Sequence, residues 1–507
     1  MRESVLRRAN SRNRTRWVVT LAVVLACAWT APVAIGAGFS YQGIGIKARS
    51  MGGAFRGIAD DWSAASHNPA GLAFLKSSQI NLSLGLYTPR ATYTPNVHEV
   101  SQDGQEEFDV GFGRANGQEH YPLDEAWPIP SVGGFASPES WNGWTIGGAI
   151  FWPHDVNYAW DLFRAPTTYN TDYTFPEENY RTDLDVLDIH PTVAKSFGDN
   201  LSVGVGLSLT NGDVVFRRPI FIENTLGTPY DIYPFDQFIG DFRLEGNGFA
   251  IGANMGVMWK ASDNVSVGLS VKTPITIPIE GGAALDMAWP RNQHFDDDDD
   301  VVIQGTDTIR TKLYYSGIDN ALVQSQNTPH TEDQFSFDLD LPAELGAGIG
   351  WRASDRLMLA FDAVMTFWSA VERWDITMEN GTLNGGREAV TAVAVPFAWD
   401  DQFRLAGGFD YAAKSNLMIR GGAYYETGAS VDSTFSPNFP NDGDVFGLAG
   451  GFSYLIDGHV QLALAQEMAF YSERTIESVA GSNGVTVFPG EYSLNRFETI
   501  LSLTYLF

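Results

Sequence analysis

A single cysteine, Cys27, stands in 507 residues. It falls in a leader expected to be removed, which leaves the mature chain without a thiol. Beyond that leader no run of about 18 apolar residues occurs, and this excludes a membrane protein built on helices. Basic residues are scarce, 32 Lys and Arg against 61 Asp and Glu for a net charge of −29. Nucleic acid is therefore an unsuitable partner, because phosphate binding needs clustered cations. None of the eight histidines (His67, His98, His120, His154, His190, His294, His330, His459) lies in an HExxH metal motif, and no GxSxG nucleophile elbow is present. An enzyme is not expected, nor a cofactor, nor a metal centre. What the chain does have is 52 glycines and 13% aromatic residues at an ordinary 44% hydrophobic content. That mixture suits a β-barrel in lipid, where only alternate residues meet hydrocarbon and aromatic girdles mark the two interfaces.

The amino terminus addresses the chain for export. Arg2, Arg7, Arg8, Arg12, Arg14 and Arg16 precede an apolar stretch from Trp17 to Ala28, and Ala34-Ile35-Gly36 offers small residues for cleavage. Residues 1–36 read as a signal peptide, too short to span a bilayer. Six Arg and one Glu give it +5, so its loss takes the net charge from −29 to −34. Val24-Leu25-Ala26-Cys27 is only a weak match to a lipoprotein box, and Cys27 also serves as a filler of the apolar core.

One unit then recurs: a strand, a tight polar turn, and a second strand of strict alternation. Gly198-Asp199-Asn200 precedes Leu201 to Leu207, and Ser262-Asp263-Asn264 precedes Val265 to Val271. Ser354-Asp355, Lys414-Ser415-Asn416 and Asp457-Gly458 head three more such strands, and a sixth hairpin fits around Ser137 to Gly143. Asp, Asn, Ser and Gly suit these turns because they tolerate tight backbone geometry and cap their own main chain. Six hairpins, an opening strand near Gln79 to Tyr87 and a closing strand from Tyr492 to Phe507 make fourteen strands. If the tight turns face the periplasm, the long connections (roughly 94–127, 153–184, 212–246, 281–334, 372–399, 429–443 and 472–490) all fall outside, the asymmetry of outer-membrane barrels. The expected organisation is an all-β, 14-stranded antiparallel barrel over 79–507.

Alternation assigns the faces. Leu201, Val203, Val205 and Leu207 point one way, and Ser202, Gly204, Gly206 and Ser208 the other. A cation on the lipid face at mid-bilayer costs roughly 2–4 kcal/mol, so Lys272 and Arg420 are expected in the lumen. Unpaired backbone groups are not tolerated in hydrocarbon, and the sheet must close. The terminal aromatic strand, with Tyr505 and Phe507, also looks like the strand by which barrel-assembly machinery recognises its clients.

Small inner residues leave room for the segment 37–78, which does not alternate and reads as a plug. Ser50 to Asp61 (SMGGAFRGIADD) and His67 to Leu72 (HNPAGL) closely resemble the plug, or hatch, of the FadL/TodX outer-membrane transport family for long-chain fatty acids and aromatic hydrocarbons. The hairpin order, Leu341-Pro342-Ala343-Glu344 and the terminal strand extend the resemblance over nearly the whole mature chain. Each motif residue also has a plain structural role. Gly52 and Gly53 permit positive backbone torsions, Asn68-Pro69 favours a turn before Ala70, and Asp60 and Asp61 can cap a helix begun near Trp62.

The resemblance implies passive outer-membrane transport. An apolar ligand would enter from outside, bind in the lumen near the plug, and leave sideways through a break in the third strand. Ala37, Gly38 and Phe39 match the start of the family's plug, which makes Phe39 the candidate to occupy or gate the inner pocket. The third strand is expected at Trp144 to Trp152, and Gly147-Gly148 is the candidate for its side opening because paired glycines weaken ladder packing. Lumenal Lys272, Arg404 and Arg420 are candidates to receive a carboxylate.

Against a carboxylate stands the acidic outer surface, which repels anions over about 8 Å at physiological salt and leaves neutral hydrocarbons or esters unpenalised. Asp296 to Asp300, in the longest outer loop, reads either as a solvated negative loop or as a divalent-cation site toward lipopolysaccharide. Expected partners are the ligand, outer-membrane lipid and lipopolysaccharide, with the chain a monomer. Two other functions fit a barrel: a general diffusion porin, and a non-transporting scaffold for secretion or assembly.

Overall fold

The computed structural model describes residues 43–95, 100–102, 105–107, 121–122, 126–138, 141–162, 169–170, 176–223, 237–290, 301–304, 307–310, 330–383, 389–439, 443–476 and 490–507. The leader, Cys27, Ala37, Gly38, Phe39 and the Asp296–Asp300 run lie outside the described residues. Among the described residues no helix is long and apolar enough to cross a membrane.

Strands dominate instead. Six are continuous: β1 (Gln79–Pro95), β2 (Trp127–Ala136), β3 (Trp144–Trp160), β4 (Tyr180–Phe197), β5 (Leu201–Glu223) and β6 (Gln237–Ser262). The next four are each interrupted: β7 (Val265–Lys272, Ile275–Pro290), β8 (His330–Leu341, Glu344–Ser354), β9 (Leu357–Thr366, Arg373–Met378) and β10 (Ala392–Pro396, Gln402–Lys414). The wall is completed by β11 (Leu417–Glu426), β12 (Val445–Ile456), β13 (Val460–Tyr471, with Arg474–Ile476) and β14 (Gly490–Leu506). With interrupted strands counted once there are fourteen, all antiparallel to their neighbours. The sheet closes because β1 pairs with β14 from Gln79↔Leu506 to Pro95↔Gly490, and Phe507 N–H adds a bond to Ser78 C=O at 3.0 Å. Closure satisfies the backbone groups that hydrocarbon would leave orphaned.

The strand faces invert part-way up the wall. Nearest the tight turns apolar side chains point outward: Ile80, Leu82 and Leu84 are half exposed, while Asn81 and Ser83 between them are buried inside. Exposed Trp144, Trp259, Trp351, Tyr454 and Tyr505 sit at the strand ends beside those turns, where an aromatic girdle is expected. Further out the polarity reverses. On β5, Asp213 faces out while Val214 and Phe216 are buried, and on β6 Glu245 faces out while Leu244 and Phe242 are buried.

This reversal explains why the strands outrun the expected connections. β5 and β6 have 23 and 26 residues, whereas about 9–11 tilted residues cross a bilayer. β1 likewise continues past Tyr87 to Pro95, and β3 past Trp152 to Trp160. The extra lengths stand above the lipid as a water-facing sheet with an apolar interior.

Breaks in four adjacent strands fall at one level. Thr273-Pro274 separates the halves of β7, Pro342-Ala343 those of β8, a 3-10 turn at Trp368–Ala370 those of β9, and residues 397–401 those of β10. Proline offers no N–H to a ladder, which accounts for the breaks at Pro274 and Pro342.

Candidate functional site

Residues 43–78 form the floor of the site. Short helices at Ile46–Ser50 and Ala64–His67 and a 3-10 helix at Pro69–Phe74 are almost wholly buried, and they bond to the inner faces of the strands. Asn68 organises the turn: its Oδ1 accepts from Ala70 N–H (3.2 Å), and its Nδ2 donates to Arg56 C=O (3.0 Å) and to Val257 C=O on β6 (3.3 Å). Ser202 on β5 donates to Ala70 C=O at 2.8 Å, and Asn254 on β6 donates to Ala65 C=O at 2.7 Å. The wall must be bare for this approach. A Cβ at Gly268 would lie 2.0 Å from Arg56 C=O, and one at Gly256 would lie 2.1 Å from Asn68 Oδ1.

Three cations of this segment hold it to wall carboxylates. Lys47 Nζ is 2.7 Å from Asp410 and 2.8 Å from Asp60. Arg49 pairs with Glu467 (3.0 Å) and Glu498, in a cluster where Tyr424 and Arg496 also bond Glu467. Arg56 pairs with Glu344, donates to Ser270 Oγ (3.1 Å), and with Phe55 offers backbone N–H groups to Asp362 at 2.8 and 3.0 Å.

Above this floor lies a cavity of about 140 Å³. Gly53, Arg56 and His67 line it from below, and Lys272, Leu341, Glu344, Thr366 and Arg404 line it at the level of the strand breaks. Its apolar walls include Phe151, Ile275 and Val364, and its polar wall is Asp188, His190, Ser208 and Thr210. Burial, followed by the nearby Arg56 guanidinium, pushes the His67 imidazole down to about 3, so His67 is neutral and its Nε2–H donates to Ile44 C=O at 2.9 Å. His154 leads outward, packing edge-on against Trp368 at 6.3 Å. Beyond it Trp374 touches Phe216, Phe337, Phe397 and Phe439 at centroid distances of 5.0 to 5.9 Å. The outer lumen is thus filled with aromatic rings.

The barrel wall is incomplete beside the cavity. β2 and β3 share five register pairs, from Ala136↔Ile146 to Val132↔Ile150, and then part. Just above, β3 slips register against β4 between Phe151 and His154, around Trp152-Pro153. A smaller space of about 20 Å³ fills the parting, lined by Ile129, Pro130, Ser131 and Trp152, and it shares Gly43 and Phe151 with the larger cavity. Outside, a lipid-facing hollow of about 580 Å³ adjoins the parting through Val132 and Ile150.

The residues singled out in the sequence fall into distinct places. Gly147 and Gly148 are fully laddered, to Phe135 and Gly134 on one side and to Thr192 and Pro191 on the other. The parting from β2 begins above them, past Val132↔Ile150, with the β3–β4 irregularity at Trp152-Pro153 beside it, and the glycines line the outer hollow. Gly52 and Gly53 have φ of 66° and 85°, and Gly52 C=O accepts from Arg404 at 2.9 Å. Asp61 accepts from Ser63 N–H (2.8 Å) and Asp60 pairs with Lys47. Pro69 opens the 3-10 helix. Lys272 and Arg404 line the cavity, already paired with Glu344 (3.5 Å) and Glu426 (3.6 Å). Arg420 points inward to Asp410 (3.1 Å) and is not part of this cavity's lining. Arg56, Asp188, His190 and Thr210 were not among the sequence candidates. The available sign was their parity: Asp188 and His190 share the inward face of a strand whose outward Ile189 and Val193 are exposed.

Fold and site together define a closed outer-membrane-type barrel with an internal floor, a small lumenal cavity and a side parting. Residues 24–505 match the family described as outer membrane protein transport protein (OMPP1/FadL/TodX), and the chain belongs to it. Three solved structures share the fold, each covering 92% of this chain. They are a Pseudomonas aeruginosa FadL homologue (17% identity, 99% of that chain, TM-score 0.71), the P. putida toluene transporter TodX (16%, 99%, 0.64) and the CymD monoaromatic hydrocarbon channel (16%, 98%, 0.58). No curated protein matches the chain.

Proposed function

We propose that this chain is a passive conduit for small, neutral hydrophobic molecules across the outer membrane, performing no chemistry on them. A ligand enters through the aromatic outer lumen, rests in the cavity above residues 43–78, and leaves sideways between β2 and β3. The observation that carries this reading is the shared lining of Gly43 and Phe151, which sets the lumenal cavity directly beside the parting in the wall. No energy input is needed, because each CH₂ that moves from water into hydrocarbon contributes roughly 0.8 kcal/mol. The polar surface layer is the barrier that the conduit bypasses.

Size and charge narrow the ligand. An apolar cavity of about 150 Å³ accommodates benzene, so a space of about 140 Å³ suits a single ring and is small for a long acyl chain. The cavity wall carries four carboxyl side chains (Asp188, Glu344, Asp362, Glu426) against three permanent cations (Arg56, Lys272, Arg404). Each of those cations already has an acidic partner. A ligand carboxylate would find these cations already engaged, whereas a neutral ring needs no counter-charge. Residues 37–39 as an inner gate, outer-membrane lipid and lipopolysaccharide as surroundings, assembly through Phe507, and a monomeric state complete the reading.

The test is uptake of ethylbenzene into proteoliposomes by wild type and by Ser131→Phe, which fills the parting. Expected is entry accelerated by the wild type and reduced about tenfold or more in the variant, with ligand still bound at equilibrium. Equal uptake by both proteins would rule out the side exit.

A further inference from the structure

The polar wall of the cavity contains two buried groups whose hydrogen bonds are unmade. Asp188 on β4 and Thr210 on β5 are register partners and both face inward. They are 5% and 1% exposed and both line the cavity. Asp188 Oδ2 lies 3.2 Å from His190 Nδ1, but among the described residues Asp188 Oδ1 and the Thr210 hydroxyl have no hydrogen-bond partner. Directly facing residues on paired strands stand about 5 Å apart at Cα, which sets the two side chains next to each other on the cavity wall. Buried polar atoms in folded proteins are nearly always satisfied, and a pair left open toward a cavity marks the place of a partner from outside.

The chemistry of the pair selects that partner. A carboxyl oxygen accepts, and a threonine hydroxyl both donates and accepts. A ligand hydroxyl meets both, donating to Asp188 Oδ1 and accepting from Thr210 Oγ1. A carboxylate cannot donate to Asp188, and a plain hydrocarbon leaves both groups unpaired. Phe151, Ile275 and Val364 supply the apolar remainder of the wall.

The surrounding bonds fix the pair in place and connect it to the floor. Ser208 Oγ lies 3.1 Å from His190 Nδ1, and His190 Nε2 lies 3.1 Å from Asn254 Oδ1. The Asn254 amide is oriented by donating to Ala65 C=O and Ser66 C=O, which leaves its Oδ1 to accept from His190 Nε2–H.

Building on the conduit reading above, we propose that the cavity recognises hydroxylated single-ring molecules, phenols or small aromatic alcohols, through Asp188 and Thr210. A site built to hydrogen-bond a ligand hydroxyl discriminates strongly against analogues that lack it.

The experiment compares three single-ring probes, 4-ethylphenol, 4-ethylanisole and ethylbenzene, binding to the full chain in lipid nanodiscs with empty nanodiscs subtracted. In the wild type 4-ethylphenol should bind about tenfold more tightly than 4-ethylanisole, which keeps the oxygen and loses the donor. In Thr210→Val and in Asp188→Asn that ratio should fall to about twofold or less. Because the first comparison needs no variant, it stands even if a substitution blocks folding. Equal binding of phenol and anisole by the wild type, or an unchanged ratio in both variants, as when water alone occupies the pair, would overturn the assignment while ethylbenzene binding keeps the conduit reading. No binding of any probe would overturn the conduit reading itself.

Discussion

Replacing Arg49 by Met tests what holds residues 43–78 in the lumen. Arg49 is 2% exposed, and its partners Glu467 and Glu498 are 3% and 1% exposed. In the variant Glu467 keeps Arg496 at 2.8 Å, while both carboxylates lose the Arg49 guanidinium that joined them. Removing one member of a buried ion cluster costs about 3–5 kcal/mol, because the charge left behind is desolvated and uncompensated. With tenfold per 1.4 kcal/mol, the ratio of seated to displaced floor should fall by roughly 10² to 10³. Lys47 and Arg56 would still hold the two flanks. The measurement is ion conductance of single barrels in planar bilayers, with trypsin cleavage within residues 43–78 as a second readout. The variant should show open bursts that the wild type lacks, and faster cleavage. Adding Glu498→Gln to Arg49→Met removes the carboxylate that loses its cation while Glu467 keeps Arg496, and should return conductance toward the wild-type level. Closed, protease-resistant Arg49→Met barrels would refute the claim that this cluster seats the floor.

Two further outcomes follow from the packing and the buried imidazole. Gly268→Val places a side chain where Arg56 C=O now sits 2.0 Å from an ideal Cβ; overpacking of this kind costs about 1–3 kcal/mol or more, and gel migration after graded heating should show the barrel opening at lower temperature. His67 has a folded-state value of about 3 against an ordinary 6.5, so between these the unfolded chain binds the extra proton. Its contribution is therefore complete above pH 6.5 and declines as pH falls, by roughly 2 kcal/mol at pH 5. His67→Gln should lose less melting temperature than wild type between pH 7 and pH 5, and equal losses would contradict the assignment.

Much of the wall was legible because one periodicity served one solvent. Wherever lipid is outside, apolar residues recur at every second position, as in Leu201 to Leu207 or Leu501 to Tyr505, and Asp, Asn, Ser or Gly mark the turns between. Local alternation and turn chemistry therefore determined the strand number, the closing pair and the asymmetry of the two rims. The upper wall escaped notice because its solvent changes. From Asp213 to Arg217 on β5 the same period persists with its polarity reversed, which reads as a polar connection until the interior to be filled is known. The tertiary structure alone decided the site. Gly147 and Gly148 look like a weak point along the chain, yet adjacent strands pair across them, and β2 and β3 part only past Val132↔Ile150. Asp188 and Thr210 lie 22 positions apart and become a pair only through the register of β4 on β5. Whether their polar atoms are satisfied depends on what every other inward side chain leaves open, a property of the closed barrel that no local stretch of residues encodes.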